Sequence, residues 1–190
     1  MTLPADIPPA EILYFAYGSN LLLERLRART SSATVGGPAR LDGYRLNFSL
    51  TGDDGSGKCA ITPAAGVAAQ VWGVVYRLAA VELPLLDAAE GVPRLYRRAA
   101  VMVSCRGAVM TAFTYLPMAT GLAPPPYTWY WQLVVAGALQ QGLPLGYIEN
   151  LTRQVAVVDP DARRPARLIA LQVLQSAQPG LPGGRLPVPE

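Results

Sequence analysis

Read along its pattern of hydrophobic and polar positions, the chain is a series of short strands with only a few helices between them. Residues 11–16 are apolar and aromatic, which predicts a buried strand, and Tyr17-Gly18-Ser19-Asn20 then supplies turn and cap residues. Leu21, Leu22, Leu23 and Leu26, set among Glu24, Arg25, Arg27 and Arg29, predict a helix over 21–29 that Ser19 or Asn20 would cap. A loop through Gly36-Gly37-Pro38 should lead into a strand over 41–50, and the polar stretch 52–57 into strands over 59–62 and 71–78. A short helix over 83–89 follows, with Pro84 suited to its first turn and Gly91 placed to stop it. Segments 95–105 and 108–116 read as a hairpin about Arg106-Gly107, part of a meander. Beyond a proline-stiffened loop at 117–126, helical character returns over 127–141, 145–154 and 168–175, and from 178 onward Pro and Gly are dense enough to predict disorder. No internal repeat is visible, and this mixture predicts an α+β domain rather than a doubly wound sheet.

Composition narrows the chemistry. At 190 residues, 51% of them hydrophobic and only 15% charged, the chain suits one well-buried domain plus a tail. No apolar run reaches the roughly 18 residues of a membrane span, and the first ten residues lack the pattern of a secretory signal, so a cytoplasmic protein is expected. Cys59 and Cys105 fall in strand segments and read as buried thiols. Histidine is absent, which excludes Ser-His-Asp and Cys-His catalysis and leaves any zinc site to Cys and carboxylates alone. Proton transfer therefore falls to Glu, Asp, Tyr, Lys or water. The net charge of +3 comes almost wholly from arginine, since Lys58 is the only lysine. The arginines lie in separate triplets (25/27/29, 94/97/98, 163/164/167) rather than in the continuous basic face of a nucleic-acid binder. An Ala-, Arg- and Pro-rich, Lys-poor chain also suggests a GC-rich bacterial gene.

Two segments carry candidate chemistry. Tyr14-Phe15-Ala16-Tyr17-Gly18-Ser19-Asn20-Leu21 is a strand that breaks into a glycine turn before a helix, where exposed N–H groups and the helix dipole favour a carboxylate or a developing oxyanion. It lacks both the Lys of a phosphate-binding P-loop and the three glycines of a dinucleotide fingerprint, and on spacing alone the commoner reading is a plain turn with an N-cap. The other segment, Leu86 to Tyr96, sets Glu90 at the end of the short helix. There an ionised carboxylate meets the negative end of the dipole at a cost of about 0.3–1 kcal/mol. The same field, with burial, would raise its pKa towards the range useful for acid–base work, whereas a solvated surface glutamate would serve no such end. Asp87, one turn earlier, reads as structural or capping.

Taken together, Phe15-Ala16-Tyr17-Gly18-Ser19-Asn20-Leu21 with Leu86-Asp87-x-x-Glu90-Gly91-Val92 and Tyr96 resembles the γ-glutamylcyclotransferase family. The similarity continues through Val71-Trp72-Gly73-Val74-Val75-Tyr76, the Pro-rich loop before Tyr127, and Gly142-Leu143-Pro144-Leu145 with Tyr147. The resemblance implies a compact α+β fold with a barrel-like mixed β-sheet and flanking helices. It implies a catalytic domain over 11–158, between a flexible N-terminus at 1–10 and a C-terminal extension at 159–190. The implied reaction converts γ-glutamyl amino acids to 5-oxoproline with Glu90 as general acid and base. Tyr17, Gly18, Ser19, Asn20 and Leu21 would hold substrate largely through backbone groups, Tyr127 would line the pocket, and Tyr96 would stand near the glutamate. Neither a metal nor an organic cofactor is implied, nor a nucleic-acid or membrane partner, and a homodimer is compatible with the family pattern. Two other functions fit the same residues: a cyclotransferase for γ-glutamyl groups on a biosynthetic amine or carrier protein, and a non-catalytic module that binds an amino-acid-like anion. The heavy aromatic run Tyr127-Thr128-Trp129-Tyr130-Trp131 reads as core or dimer packing.

Overall fold

The computed structural model describes residues 10–66 and 69–177. Its strands are β1 (Glu11–Ala16), β2 (Thr34–Asp42), β3 (Tyr44–Thr51), β4 (Gly57–Pro63), β5 (Gln70–Ala79), β6 (Tyr96–Cys105) and β7 (Ala108–Pro117). Its α-helices are α1 (Leu23–Arg27), α2 (Leu83–Glu90), α3 (Thr128–Gln140), α4 (Leu145–Thr152) and α5 (Pro165–Ala177). Five strands close a barrel in the order β1-β5-β2-β6-β7, while β3 and β4 form a separate hairpin. Pairing is antiparallel except where β7 meets β1 in parallel at Tyr14 and Phe113, so the sheet is mixed, as the family resemblance implies. That parallel seam brings the end of β1 beside β7, and the turn that follows β1 opens at the barrel's rim.

Packing on this barrel explains the local structure better than propensity does. The wholly apolar stretch of α3 from Leu133 to Ala136 is buried on every side, and Trp129, Tyr130 and Trp131 are buried before it. These aromatics are core, as expected, and α3 is held between the turn that follows β1 and helices α4 and α5. Gly137 lets α3 meet the turn after β1 backbone to backbone: a Cβ there would lie 2.3 Å from the Leu22 nitrogen and 2.5 Å from the Leu21 carbonyl carbon. The closest part of that interface is therefore the segment that directly follows the turn Tyr17–Asn20.

This packing also accounts for three departures from the sequence expectations. The helix expected over 21–29 is divided into a 3-10 turn (Ser19–Leu21), an extended Leu22 and the short α1. Neither Ser19 nor Asn20 caps it, because the segment is drawn against α3 and Asn20 is turned towards another partner. The strand expected over 41–50 is two strands, with the chain turning at Gly43. Gly36-Gly37-Pro38, expected as a loop, lies within β2, where a register shift between Val35 and Gly37 absorbs the irregular residues into the ladder. By contrast the Arg106-Gly107 hairpin and α2 form where expected.

The segment after 158 carries a packed helix. Buried Asp159 accepts hydrogen bonds from Trp129 Nε1 (2.9 Å) and Arg164 Nε (2.8 Å), fastening the approach to α5 onto α3. Ala170, Val173, Leu174 and Ala177 form the buried face of α5. The flexible start expected over 1–9 and the disorder expected from 178 lie outside the described residues.

Candidate active site

Glu90 is the last residue of α2, and Gly91 takes the left-handed conformation (φ 70°) that ends the helix. The Gly91 N–H bonds to Ala88 O (3.2 Å) and the Val92 N–H to Asp87 O (3.0 Å), so the helix terminus is fixed by its own backbone. From there the carboxylate meets the turn after β1. Asn20 Nδ2 donates to Glu90 Oε1 at 2.9 Å, and Arg29 forms an ion pair with the same oxygen. Arg29 also donates to Asn20 Oδ1 (2.9 Å), closing a three-residue cluster from the turn, the end of α1 and the end of α2. The guanidinium offsets the unfavourable helix terminus on which Glu90 stands. Oε2 accepts no hydrogen bond among the described residues, and the side chain keeps 15% of its surface exposed.

Around this carboxylate lies a small inner pocket bounded by the turn (Tyr17, Gly18, Ser19, Asn20), by Cys59 of β4, and by Tyr14, Tyr96, Tyr115 and Tyr130. Most of its hydroxyls have structural work. Tyr17 donates to Tyr115 O (2.5 Å), Tyr96 to Cys59 O (2.7 Å) and Tyr115 to Asp87 Oδ1 (2.7 Å), while Tyr130 accepts the Cys59 N–H (3.1 Å). Tyr14 accepts from Asn20 Nδ2 (3.0 Å), and its own proton is donated to no acceptor among the described residues. Burial pushes the Tyr14, Tyr17, Tyr96 and Tyr130 hydroxyls well above the ordinary phenol range, so all four stay protonated near neutral pH. Burial likewise pushes the Cys59 thiol up to about 12, which keeps it from serving as a thiolate nucleophile.

Backbone donors in the turn are partly spent. Leu21 donates to Gly18 O (2.9 Å) and Leu22 to Ser19 O (3.4 Å), but the N–H groups of Gly18, Ser19 and Asn20 have no backbone acceptor among the described residues. Leu21, expected among the substrate-binding residues, has its side chain in the core, and its carbonyl accepts from Tyr76 (2.7 Å). Tyr127, expected to line the pocket, instead points its hydroxyl to Asp54 O (3.3 Å) and packs beside Trp129. The residue that reaches the pocket from this region is Tyr130, one helical turn further on, because α3 begins at Thr128 and its inward face starts there.

The inner pocket opens into a wider vestibule of about 240 Å³, sharing Ser19, Glu90, Tyr96 and Tyr130 with it. Lys58 lies here, bonded to Asp54 (2.6 Å) and set over the Tyr130 ring (4.6 Å to its centroid). Arg25, Leu95 and Trp129 complete much of its wall. A larger groove of about 570 Å³ between β3 and α4, lined by Trp72, Tyr147 and Asn150 among others, contains none of the inner-pocket residues. Arg29, Tyr115 and Tyr130 were not identifiable as site residues from sequence patterns, and Tyr14 was legible only as the start of the segment that ends in the turn; the ring-to-ring packing and the arginine's return from the far end of α1 exist only in the fold.

The fold thus sets one carboxylate, with Oε1 held and Oε2 accepting no hydrogen bond among the described residues, where a small polar pocket meets the vestibule. The AIG2-like family profile matches residues 70–151. The human γ-glutamylcyclotransferase is 38% identical over 148 residues, covering 73% of this chain and 76% of its own, and the Bos taurus protein of that name is 37% identical over the same shares. A solved structure of a γ-glutamyl cyclotransferase superposes with a TM-score of 0.77 at 31% identity, covering 88% of this chain and 99% of that one. The chain belongs to the γ-glutamylcyclotransferase family, and it is an enzyme of the cyclotransferase type.

Proposed function

We propose that this enzyme releases the amino acid from a γ-glutamyl amino acid by closing the glutamyl moiety into 5-oxoproline, with Glu90 moving the protons. In such a substrate the α-amine reaches its own γ-carbonyl, so no protein nucleophile is required, in keeping with a chain that has no histidine and a buried, protonated Cys59. Folding the substrate against Glu90, where the inner pocket meets the vestibule, supplies the proximity of an intramolecular attack, for which effective molarities of ~10⁵ M or more are attainable. Glu90 Oε2 takes a proton from the α-ammonium, freeing its lone pair. The amine nitrogen then adds to the γ-carbonyl carbon, and as the tetrahedral intermediate collapses Glu90 passes its proton to the leaving nitrogen while the bond to it breaks; the second proton on the ring nitrogen passes through the ionised Glu90 to the freed amine, leaving a neutral lactam and an ammonium. Asn20 and Arg29 hold Oε1 and so aim Oε2. The N–H groups of Gly18, Ser19 and Asn20, with the Tyr14 hydroxyl, are the donors available to the substrate's α-carboxylate or to the oxyanion.

The observation that carries this reading is the meeting of Glu90 with Asn20 and Arg29 at the turn after β1. Incubating the protein with γ-glutamyl-alanine and following 5-oxoproline by mass spectrometry, beside a Glu90→Gln control, tests it. Product that depends on Glu90 is the expected result, and equal product from the control would remove Glu90 from the mechanism. A cytoplasmic setting, a role in glutathione metabolism and assembly as a homodimer belong to the same reading. Sedimentation tests the last of these, with a particle of twice the chain mass as the expected result.

A further inference from the structure

Helix α2 carries Glu90 but has little packing of its own to orient it: of its eight residues only Leu86 is buried. A helix this short keeps its place by contacts rather than by propensity. Its last turn is pinned through Asp87, three residues before Glu90 and so on the same side of the helix. Asp87 Oδ1 accepts the Tyr115 hydroxyl of β7 (2.7 Å) and pairs with Arg98 Nε of β6 (3.3 Å). Arg98 is half exposed and sits further away, so the phenol is the stronger hold. Burial, and next the bond to Asp87, keep the Tyr115 hydroxyl well above the ordinary phenol range, so it remains a donor near neutral pH. The same tyrosine also faces the other half of the site. Its backbone carbonyl accepts the Tyr17 hydroxyl (2.5 Å) at the head of the turn, and its ring packs edge-on against Tyr14 with centroids 5.7 Å apart. Tyr115 is itself buried and locked in the β6–β7 ladder opposite Arg98.

We infer that Tyr115 and Asp87 are positioning residues for the reaction: Tyr115 is the common anchor of the two halves of the site, its hydroxyl holding α2 with Glu90 and its carbonyl holding the turn that begins at Tyr17. The inference rests on the reading of Glu90 as the proton carrier and deepens it by naming what sets that carboxylate opposite Asn20. Glu90 and Asn20 meet at 2.9 Å from segments 70 positions apart, so their meeting depends on a third element that fixes both. A proton carrier displaced by about an ångström forfeits much of its rate, up to roughly a hundredfold.

Tyr115→Phe removes the bond to Asp87 and leaves the carbonyl that Tyr17 uses. It should lower kcat for γ-glutamyl-alanine about ten- to a hundredfold while KM changes less than about twofold. Asp87→Ala should fall as far, and Asp87→Asn, which keeps an oxygen for the phenol, should recover part of the loss. The double variant Tyr115→Phe/Asp87→Ala should be about as slow as Asp87→Ala alone, because both changes break one bond. In a Glu90→Gln background Tyr115→Phe should cost no further turnover, which general damage to the fold would not spare. The side-chain amide signals of Asn20 in NMR spectra of the unliganded protein read the same link without turnover: they should move in Tyr115→Phe and in Asp87→Ala, and less in Asp87→Asn. Parental kcat in Tyr115→Phe, multiplied losses in the double variant, or Asn20 signals that stay in place would overturn the assignment. A parent that cyclises no γ-glutamyl compound while the Asn20 signals respond as stated would contradict the reaction and support the anchoring.

Discussion

The inner pocket and the vestibule meet at Glu90 and are built on opposite principles. Inside, apart from the Glu90 carboxylate, the polar groups are neutral, and several are locked to the backbone: Tyr17 to Tyr115 O, Tyr96 to Cys59 O, Tyr130 to the Cys59 N–H. Such groups are already oriented, so they solvate a developing charge without reorganising. Outside, the wall carries arginine, lysine and aspartate on side chains that reach across from α1, the β3–β4 turn and β4. Charges of this kind discriminate between ligands by what they leave unpaired. On the mechanism proposed above, the neutral, pre-oriented groups serve the reacting centre and the charged wall faces the rest of the substrate.

The most severe way to break this division is at Glu90. Glu90→Gln should lower kcat by about 10²–10⁴, the usual range for a general acid–base group, while the circular dichroism spectrum and the affinity for substrate change little. If affinity collapsed and the turnover of bound substrate survived, Glu90 would belong to binding instead. A second change strikes the support beneath the inner pocket. Gly137→Val would push side-chain atoms into the Leu21–Leu22 backbone, and overpacking of this kind should cost about 3 kcal/mol in urea unfolding. A variant as stable as the parent would show that α3 does not set the position of the turn.

The smallest effect sharpens the contrast from the periphery. Asp159 is desolvated, which by itself would raise its pKa, but the bonds from Arg164 and Trp129 win and hold it at about 2. Its unfolded value is about 3.9. The stabilisation is thus present above pH ~4 and is lost as pH falls from there towards 2. Asp159→Asn should lower stability at neutral pH and flatten this limb of the curve, measured as urea midpoints between pH 6 and 2.5. An unchanged acid limb would mean that other carboxylates carry it.

Much of the frame was legible in the sequence because it depends on local signals. β1, α2 with its Pro84 start and Gly91 stop, the Arg106-Gly107 hairpin and the buried α3 all follow from periodicity and turn chemistry. Glu90 and the turn from Tyr17 to Asn20 were legible as motifs, and the fold brings them together. What the sequence concealed depends on packing between distant segments. The helix expected from Leu21 is broken because α3 presses on it through Gly137, and Asn20 reads as a cap until Glu90, 70 positions on, claims its amide. The one-turn offset between Tyr127 and Tyr130 follows from where α3 starts, which no residue pattern in the Pro-rich loop specifies. Arg25 and Arg29 were legible only as members of a basic triplet. Their unequal fates, Arg29 paired with Glu90 and Arg25 in no ion pair among the described residues, exist only in the fold.

Isotope partition in H₂¹⁸O tests most directly that the substrate's own amine is the nucleophile. Turnover of γ-glutamyl-alanine there should give alanine and 5-oxoproline carrying no ¹⁸O, because the lactam oxygen descends from the original γ-carbonyl and water attacks nothing. Glutamate bearing ¹⁸O in its side-chain carboxylate would show that Glu90 activates water for hydrolysis, and would contradict the cyclisation assigned to this site.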